Sequence, residues 1–397
     1  LKVAPSLVAA FLSFLPLSAL GADFRGRIEM LGAFYPVPDL TEGRARFFAA
    51  YEASINDRWI FLVSGYVDGV TGTGERATAG VVRPHETYLE RRGDRFELRV
   101  GFANVAWGVL DELAPQDVVN PVDVARFALE DRGEARLPVP LARLRWLLPK
   151  DLSLEALFVP WARRGTFDQL DEPSSPFTPE ELGGLPRSDL DLSPANFEGG
   201  VRIRGTGRGL DWGASVYRDV VDFDRYESTP VGIEAIRPSR ILLGGDLETA
   251  LGAWVLRGEG AFFLDDPLQV EAPAPVVATR WSFQGGIGVD RQVGENLLFV
   301  NGLVRSVPEE TLREGDDELS LSFGLTRQLS SGTQRLKVFG VWNTASSSAF
   351  ARAVWIRELV ENLEIELGGG AFLGDGGPFL GLLSDADFAS ARLRWFF

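Results

Sequence analysis

The run Phe388-Ala389-Ser390-Ala391-Arg392-Leu393-Arg394-Trp395-Phe396-Phe397 decides how the rest of the chain is read. Side chains alternate across an extended strand with a period of two. Ala389, Ala391, Leu393, Trp395 and Phe397 therefore share one face, and Ser390, Arg392 and Arg394 the other. The first face suits lipid and the second suits water. A soluble sheet could end on such a strand, so the rest of the chain has to discriminate.

A terminal Phe397 with Trp395 and Leu393 at alternating positions before it resembles the C-terminal assembly signal of bacterial outer-membrane barrels. That resemblance implies the barrel assembly machinery as a partner. Composition points the same way. The chain has 397 residues, 45% of them hydrophobic, no Cys and a formal net charge of -16. Helical membrane spans would show as apolar runs of about 18 or more residues, and only the N-terminus comes near. There Lys2 precedes Val3 to Leu20, a stretch interrupted by Pro5, Ser6, Ser13, Pro16 and Ser18 and followed by Gly21. Residues 1–21 read as a signal peptide cut before Ala22, which takes the mature chain out of the cytoplasm. Without Cys there is no disulfide or thiolate metal site, so a large exported chain needs a big core or a closed sheet. Net acidity argues against nucleic acid, whose phosphates call for a basic patch.

From Ala22 onward the chain divides into alternating segments of about ten residues, the length a tilted strand needs to cross a bilayer. In the first, Phe24, Ile28, Met30 and Phe34 oppose Arg25, Arg27 and Glu29. Further strands are expected near 44–54, 59–67, 84–92, 95–106, 140–148, 151–160, 197–206, 210–221, 237–248 and 252–264. The remainder fall near 279–291, 296–306, 317–328, 333–343, 348–358, 363–373 and 386–397. Tight connections at Asn56-Asp57, Gly93-Asp94, Lys150-Asp151, Gly207-Arg208, Gly294-Glu295, Ser331-Gly332 and Glu361-Asn362 alternate with mostly longer ones. Short periplasmic turns and longer outer loops are the habit of bacterial barrels. The expectation is an all-β transmembrane antiparallel barrel over residues 22–397, of about eighteen strands or sixteen, in the cell outer membrane among its lipids. The water-facing set mixes Arg99, Arg143, Arg145, Arg202, Arg204, Arg257, Arg280, Arg392 and Arg394 with Glu97, Glu155, Glu198, Asp246, Glu248, Glu259, Glu364 and Glu366. Such balance suits a wet lumen braced by cross-strand ion pairs. Trp146, Trp212, Trp254, Trp281, Trp342 and Trp395 lie near strand ends, where indoles occupy the headgroup zone.

One connection, residues 107–140, is too apolar for a solvated loop. It reads as an inward-folded constriction or plug with a short helix: Asn120-Pro121 makes a good helix start, Asp123 sits at its third position, and Val122 to Leu129 supplies two turns with Phe127 packed inward. Its candidate pore-lining residues are Asp111, Asp117, Asn120, Asp123, Arg126, Arg132 and Arg136. Opposed fixed charges in a narrow bore select ions by charge; equally, they can pair with wall residues to hold the segment in place. The succession Trp107-Gly108, Asp117-Val118-Val119-Asn120-Pro121 and Arg136-Leu137-Pro138-Val139-Pro140 resembles a family of porin-like proteobacterial outer-membrane proteins of unknown function, distantly similar to alginate-export porins. The similarity is sharpest from Val100 to Trp161. It implies a large single-chain barrel without catalytic residues, and it allows work alongside envelope export components.

No catalytic constellation is legible. A nucleophile would need a base oriented by a carboxylate, and the lone His85 reads as a solvated side chain of an outer loop. Neither metal nor cofactor is expected. The sequence thus suggests passive passage of small solutes, with a plugged barrel docking a trans-envelope lipid or hydrophobic-compound exporter as the alternative.

Overall fold

The computed structural model describes residues 21–37, 39–74, 78–130, 132–168, 174–178, 185–188, 196–270, 274–307, 318–374 and 380–397; residues 1–20, most of the expected signal peptide, lie outside them. An 18-stranded antiparallel sheet closes on itself. Its first half comprises β1 (Ala22–Tyr35), β2 (Leu40–Asn56), β3 (Trp59–Gly72), β4 (Ala79–Arg92), β5 (Phe96–Ala103), β6 (Val139–Leu148), β7 (Leu152–Val159), β8 (Glu198–Gly207) and β9 (Leu210–Val220). After a separate hairpin, β10 (Arg225–Thr229) and β11 (Gly232–Ile236), come β12 (Ser239–Leu251), β13 (Trp254–Val270), β14 (Val276–Val293), β15 (Asn296–Ser306), β16 (Glu318–Leu329), β17 (Gln334–Asn343), β18 (Ser348–Val360), β19 (Leu363–Leu373) and β20 (Phe388–Phe396).

The seam joins the last strand to the first, from Arg27 opposite Phe396 to Phe34 opposite Ala389. Just beyond it Gly26 and Phe397 exchange backbone bonds of 2.9 and 3.0 Å. A side chain at Gly26 would collide with the Phe397 ring and the Phe48 carbonyl, so glycine is what lets the chain end lie flat there.

Alternation divides the wall as the sequence suggested. On β20, Leu393 and Trp395 are exposed on the outside, whereas Arg392 is buried facing in. On β1, Phe24, Met30 and Phe34 face out and Glu29 faces in. Trp146, Trp254, Trp281, Trp342 and Trp395 are all exposed on the outer surface. At one end the strands are joined by tight turns. Between β8 and β9, Arg208 and Gly209 both have positive φ, 55° and 80°, as a two-residue hairpin turn matched to strand twist requires. The other end carries the long connections, and the habit of outer-membrane barrels puts the tight-turn end, with both chain ends, in the periplasm.

Two features depart from expectation. The hairpin β10–β11 lies in a stretch read as a loop. Strands β13 and β14 run to 17 and 18 residues, because a bulge between Phe263 and Asp266, with Asp265 at φ 55°, breaks the alternation that would have revealed their outer halves. Apolar clusters do exist, but inside the barrel: one joins Leu31, Tyr35 and Phe350 of the wall to Val124, Ala128 and Leu129 of the long inner connection.

The register makes a direct prediction. Arginine in place of Leu393 should cost up to about 2–4 kcal/mol, since it puts charge against lipid, whereas Ser390→Arg faces the lumen and should be tolerated. Equal yields of heat-modifiable, membrane-inserted protein for the two variants would contradict this register.

Candidate pore segment inside the barrel

Residues 104–138 leave the wall at β5, cross the lumen and return at β6. Asn120 ties the two stems: its Nδ2 donates to the carbonyls of Ala103 (3.2 Å) and Leu137 (2.9 Å), and its Oδ1 accepts from the Val105 amide at 2.6 Å. Occupied this way, Asn120 cannot start the helix. Helix α1 (Val124–Leu129) begins three residues later than its sequence start signal, with Asp123 as N-cap; Oδ1 accepts the Arg126 amide at 3.0 Å and Oδ2 accepts the Thr166 hydroxyl at 3.0 Å. At the other end two wall arginines meet the unpaired carbonyls: Arg392 donates to Leu129 at 3.0 Å, and Arg352 to Ala128 at 3.2 Å and to Glu130. Positive charge at a helix C-terminus is favourable. A further single turn, α2 (Arg132–Ala135), follows.

On the opposite wall a carboxylate holds the chain. Glu259 of β13 accepts the amides of Val109 (2.7 Å), Leu110 (3.0 Å) and Gln116 (2.7 Å). Gly108, at φ 102°, lets the backbone wrap this carboxylate, because a Cβ there would lie 2.6 Å from it. Trp107 is fully buried, its indole N–H on Glu155 at 2.7 Å and its ring edge-on to Tyr217. Gln116 reaches Ser215 at 2.8 Å.

Ion pairs complete the attachment: Arg126 to Asp68 at 3.2 Å, Glu130 to Arg46 at 2.9 Å and Glu134 to Arg27 at 2.9 Å. Burial alone would raise the Glu130 carboxyl, but Arg46, Arg392 and Arg126 hold it far below the ordinary carboxylate range. Glu134 is lowered too, against burial, by Arg27. Asp123 goes the other way, raised by burial although Arg126 opposes.

The candidate residues therefore have distinct places. Asp111 pairs with Arg257 at 3.0 Å and keeps half its side chain exposed. Asp117 bonds Arg136 at 2.5 Å within the segment itself. Asn120 and Asp123 set backbone geometry, and Arg126 reaches the wall. Asp131 and the Arg132 side chain lie outside what is described, as do the acidic loop residues Glu309 to Asp316. Sequence reasoning missed Asp68, Arg46 and Arg352 as anchors; their parity marked them as lumenal, but nothing local named their partners. His85 is corrected outright: it lies on β4, packed edge-on against Phe48 and Tyr66, instead of in a solvated loop. The strand expected near 84–92 begins five residues earlier, at Ala79, so position 85 lies well inside it instead of at its edge.

Other loops cover the segment. Residues 162–168 lie beside 122–125, with Val124 donating to Thr166 at 2.8 Å and Ala125 to Phe167 at 3.0 Å. Gly165 in turn donates to the Asp222 carbonyl at 2.9 Å. Burial and neighbouring Asp219 raise the Asp222 carboxyl to about 7; Arg240 and Arg237 oppose this and Asp117 adds to it.

Comparison with known proteins places the fold. No family model matches the chain, and no curated protein does. Among solved structures it is similar to Pseudomonas aeruginosa OpdK, solved with vanillate, at TM-score 0.56 and 11% identity over 95% of this chain and 97% of that one. It is also similar to Acinetobacter baumannii OccAB1 (TM-score 0.53, 10% identity, 95% of each chain). A third is Pseudomonas aeruginosa OccK5 (TM-score 0.53, 10% identity, 95% and 96%). At this level of identity the likeness is one of fold, a barrel matched over nearly the full length of each chain.

Two tests follow from the segment's contacts. Glu259→Ala leaves three amides without their acceptor, each worth about 1–3 kcal/mol; hydrogen exchange at Val109, Leu110 and Gln116 should accelerate by orders of magnitude, and unchanged protection would refute the clamp. Because the folded Asp222 carboxyl is raised, its contribution is complete below the ordinary carboxylate range and is lost as pH rises through about 7. Exchange at Gly165 corrected for intrinsic pH dependence should rise as pH increases from the ordinary carboxylate range to about 7 and level off above it in the native protein, and stay flat in Asp222→Asn.

Proposed function

We propose that this chain is a passive outer-membrane channel for small solutes, without catalytic activity, whose bore is set by residues 104–138. The observation that carries the reading is a wide barrel with a charged, ion-paired inner face, crossed by a loop that is anchored to both walls through side chains. A barrel of this strand number is wider than its own side chains can fill, and water-filled lumens are polar. In this reading Asp111, half exposed on the crossing segment, is the acid best placed to act on passing ions, while Asp117, Asp123 and Arg126 chiefly hold the constriction in shape.

The outward Leu393, Trp395 and Phe397 fit recognition by the barrel assembly machinery, and the likeness of Val100–Trp161 to the porin-like family of unknown function belongs to the same inference. The docking alternative differs in what it predicts: no current, and retention of periplasmic or inner-membrane components.

Planar-bilayer recording decides. Purified protein should give discrete conductance steps, and removal of residues 109–135 should enlarge them several-fold in barrels shown to be closed. Replacing Asp111, Asp117 and Asp123 with Asn should move the reversal potential toward anion preference. Absence of any current from closed, inserted barrels would overturn the channel reading.

A further inference from the structure

The two faces of the wall treat arginine differently. Inside, Arg46 meets Asp68 and Glu130 at 2.7 and 2.9 Å, Arg202 meets Asp246 at 2.7 Å, and Arg240 meets Asp219 and Asp266 at 3.0 and 2.8 Å. Outside, arginines stand on three alternate strands: Arg291 on β14, Arg327 on β16 and Arg357 on β18. The register fixes their face. Arg291 lies opposite Trp254 and Leu298, both exposed on the outer surface. Arg327 has the parity of outward Phe323, and Arg357 lies one residue beyond Ile356, which is buried facing in. All three arginines are exposed, and their guanidiniums make no hydrogen bond or ion pair among the described residues.

They also share one height on the barrel. Arg291 and Arg327 lie three residues before the tight turns that begin at Gly294 and Ser330, and Arg357 lies four before the turn that begins at Glu361. Indoles, which favour the lipid–water boundary, stand at the same level: Trp254 lies under Arg291, 4.4 Å from guanidinium carbon to ring centre, and Trp355 donates its Nε1–H to Gln334 at 3.1 Å. Strands are spaced about 4.8 Å apart, so arginines on alternate strands stand roughly 10 Å apart around the wall, with Leu298 and Leu336 between them. Glu295 and Glu361 lie beyond them in the turns, toward water, and Glu358 lies opposite inward-facing Glu364. At the other end of the barrel outward-facing Arg218 is already occupied: it donates to the Phe197 carbonyl and to Ser239 at 2.9 Å, and it lies over the Phe197 ring.

We propose that Arg291, Arg327 and Arg357 form an arc on the lipid-facing surface that binds the headgroups of anionic phospholipids in the periplasm-facing leaflet. A guanidinium offers a planar fork of donors matched to two phosphate oxygens, and cationic side chains at the membrane surface attract anionic lipid. The long arginine stem lies along apolar surface while its head reaches the headgroups. Trp254, Leu298, Leu336 and Trp355 supply that surface and meet the acyl chains beside each fork, which selects a lipid over a soluble anion. The leaflet follows from the tight-turn end at which the arc lies. This inference concerns the outside of the wall and does not depend on the channel reading, since lipid retention is measured without current.

The test is native mass spectrometry of detergent-solubilised barrels incubated with equal amounts of dioleoylphosphatidylglycerol and dioleoylphosphatidylcholine and, separately, with lipid A, closure being verified by heat-modifiable electrophoretic mobility. Native protein should retain phosphatidylglycerol over phosphatidylcholine by about ten-fold, and excess soluble glycerol phosphate should not displace it. Combining Arg291→Gln, Arg327→Gln and Arg357→Gln should bring that ratio close to one. Combining Arg58→Gln and Arg208→Gln, which removes charge from turns at the same end, should leave it as in the native protein. Should the glutamine triple variant fail to close, Arg291→Lys, Arg327→Lys and Arg357→Lys together keep the charge but lose the fork, and the ratio should fall by a smaller factor. The assignment is overturned if native protein retains both phospholipids equally, if it holds lipid A in preference to phosphatidylglycerol, or if glycerol phosphate displaces the lipid. It is overturned equally if a closed triple variant of either kind keeps the native ratio, or if the turn variant loses it.

Discussion

Hydrocarbon offers no partner to a peptide N–H or C=O, and the whole architecture follows from that one constraint. A sheet that crosses the membrane must have no edge, so β20 has to return to β1, down to the reciprocal bonds between Gly26 and Phe397. Closure at 18 strands then fixes a bore that wall side chains alone cannot fill. The inner face must be either wet or covered by more chain. This molecule does both: it is charged where strands face water, and apolar where residues 104–138 and the loops above them pack against Leu31, Tyr35, Phe350 and Phe388.

Ion pairs in the lumen serve position more than stability. Burying an arginine is costly unless carboxylates and hydrogen bonds return what water supplied, and the net gain is small. Arg46, shared between Asp68 and Glu130, satisfies that condition while fixing where the crossing segment rests. Removing one partner would strand a charge, so such pairs specify one seating of the segment out of many.

The wall was readable because its rule is local. Leu393 and Trp395 against Arg392 and Arg394, or Arg208-Gly209 between two alternating runs, state strand, face and turn within a few residues. The crossing segment follows no such rule. Glu259 could be assigned to the lumen by parity, but the amides it accepts lie 143 to 150 residues away in the chain. Asn120-Pro121 carries a sound helix-start signal, yet Asp123, three residues before Arg126, carries another. Only the tertiary need for Asn120 at the stems decides between them. His85 was misplaced although the strand expected near 84–92 already reaches it, because the expected start lies there and β4 in fact starts at Ala79.

The few residues from Leu129 to Glu134 touch both sides of the seam. Leu129 accepts from Arg392 of the final strand, Glu134 pairs with Arg27 of the first, and Glu130 pairs with Arg46 of the second. These contacts work as a clasp on the inside of the joint. Its full set of partners exists only when the last strand lies beside the first, so the complete clasp is a property of the closed barrel alone. Strand β20 can leave β1 only with loss of the Arg392 bond to Leu129, which ties the crossing segment to the integrity of the joint.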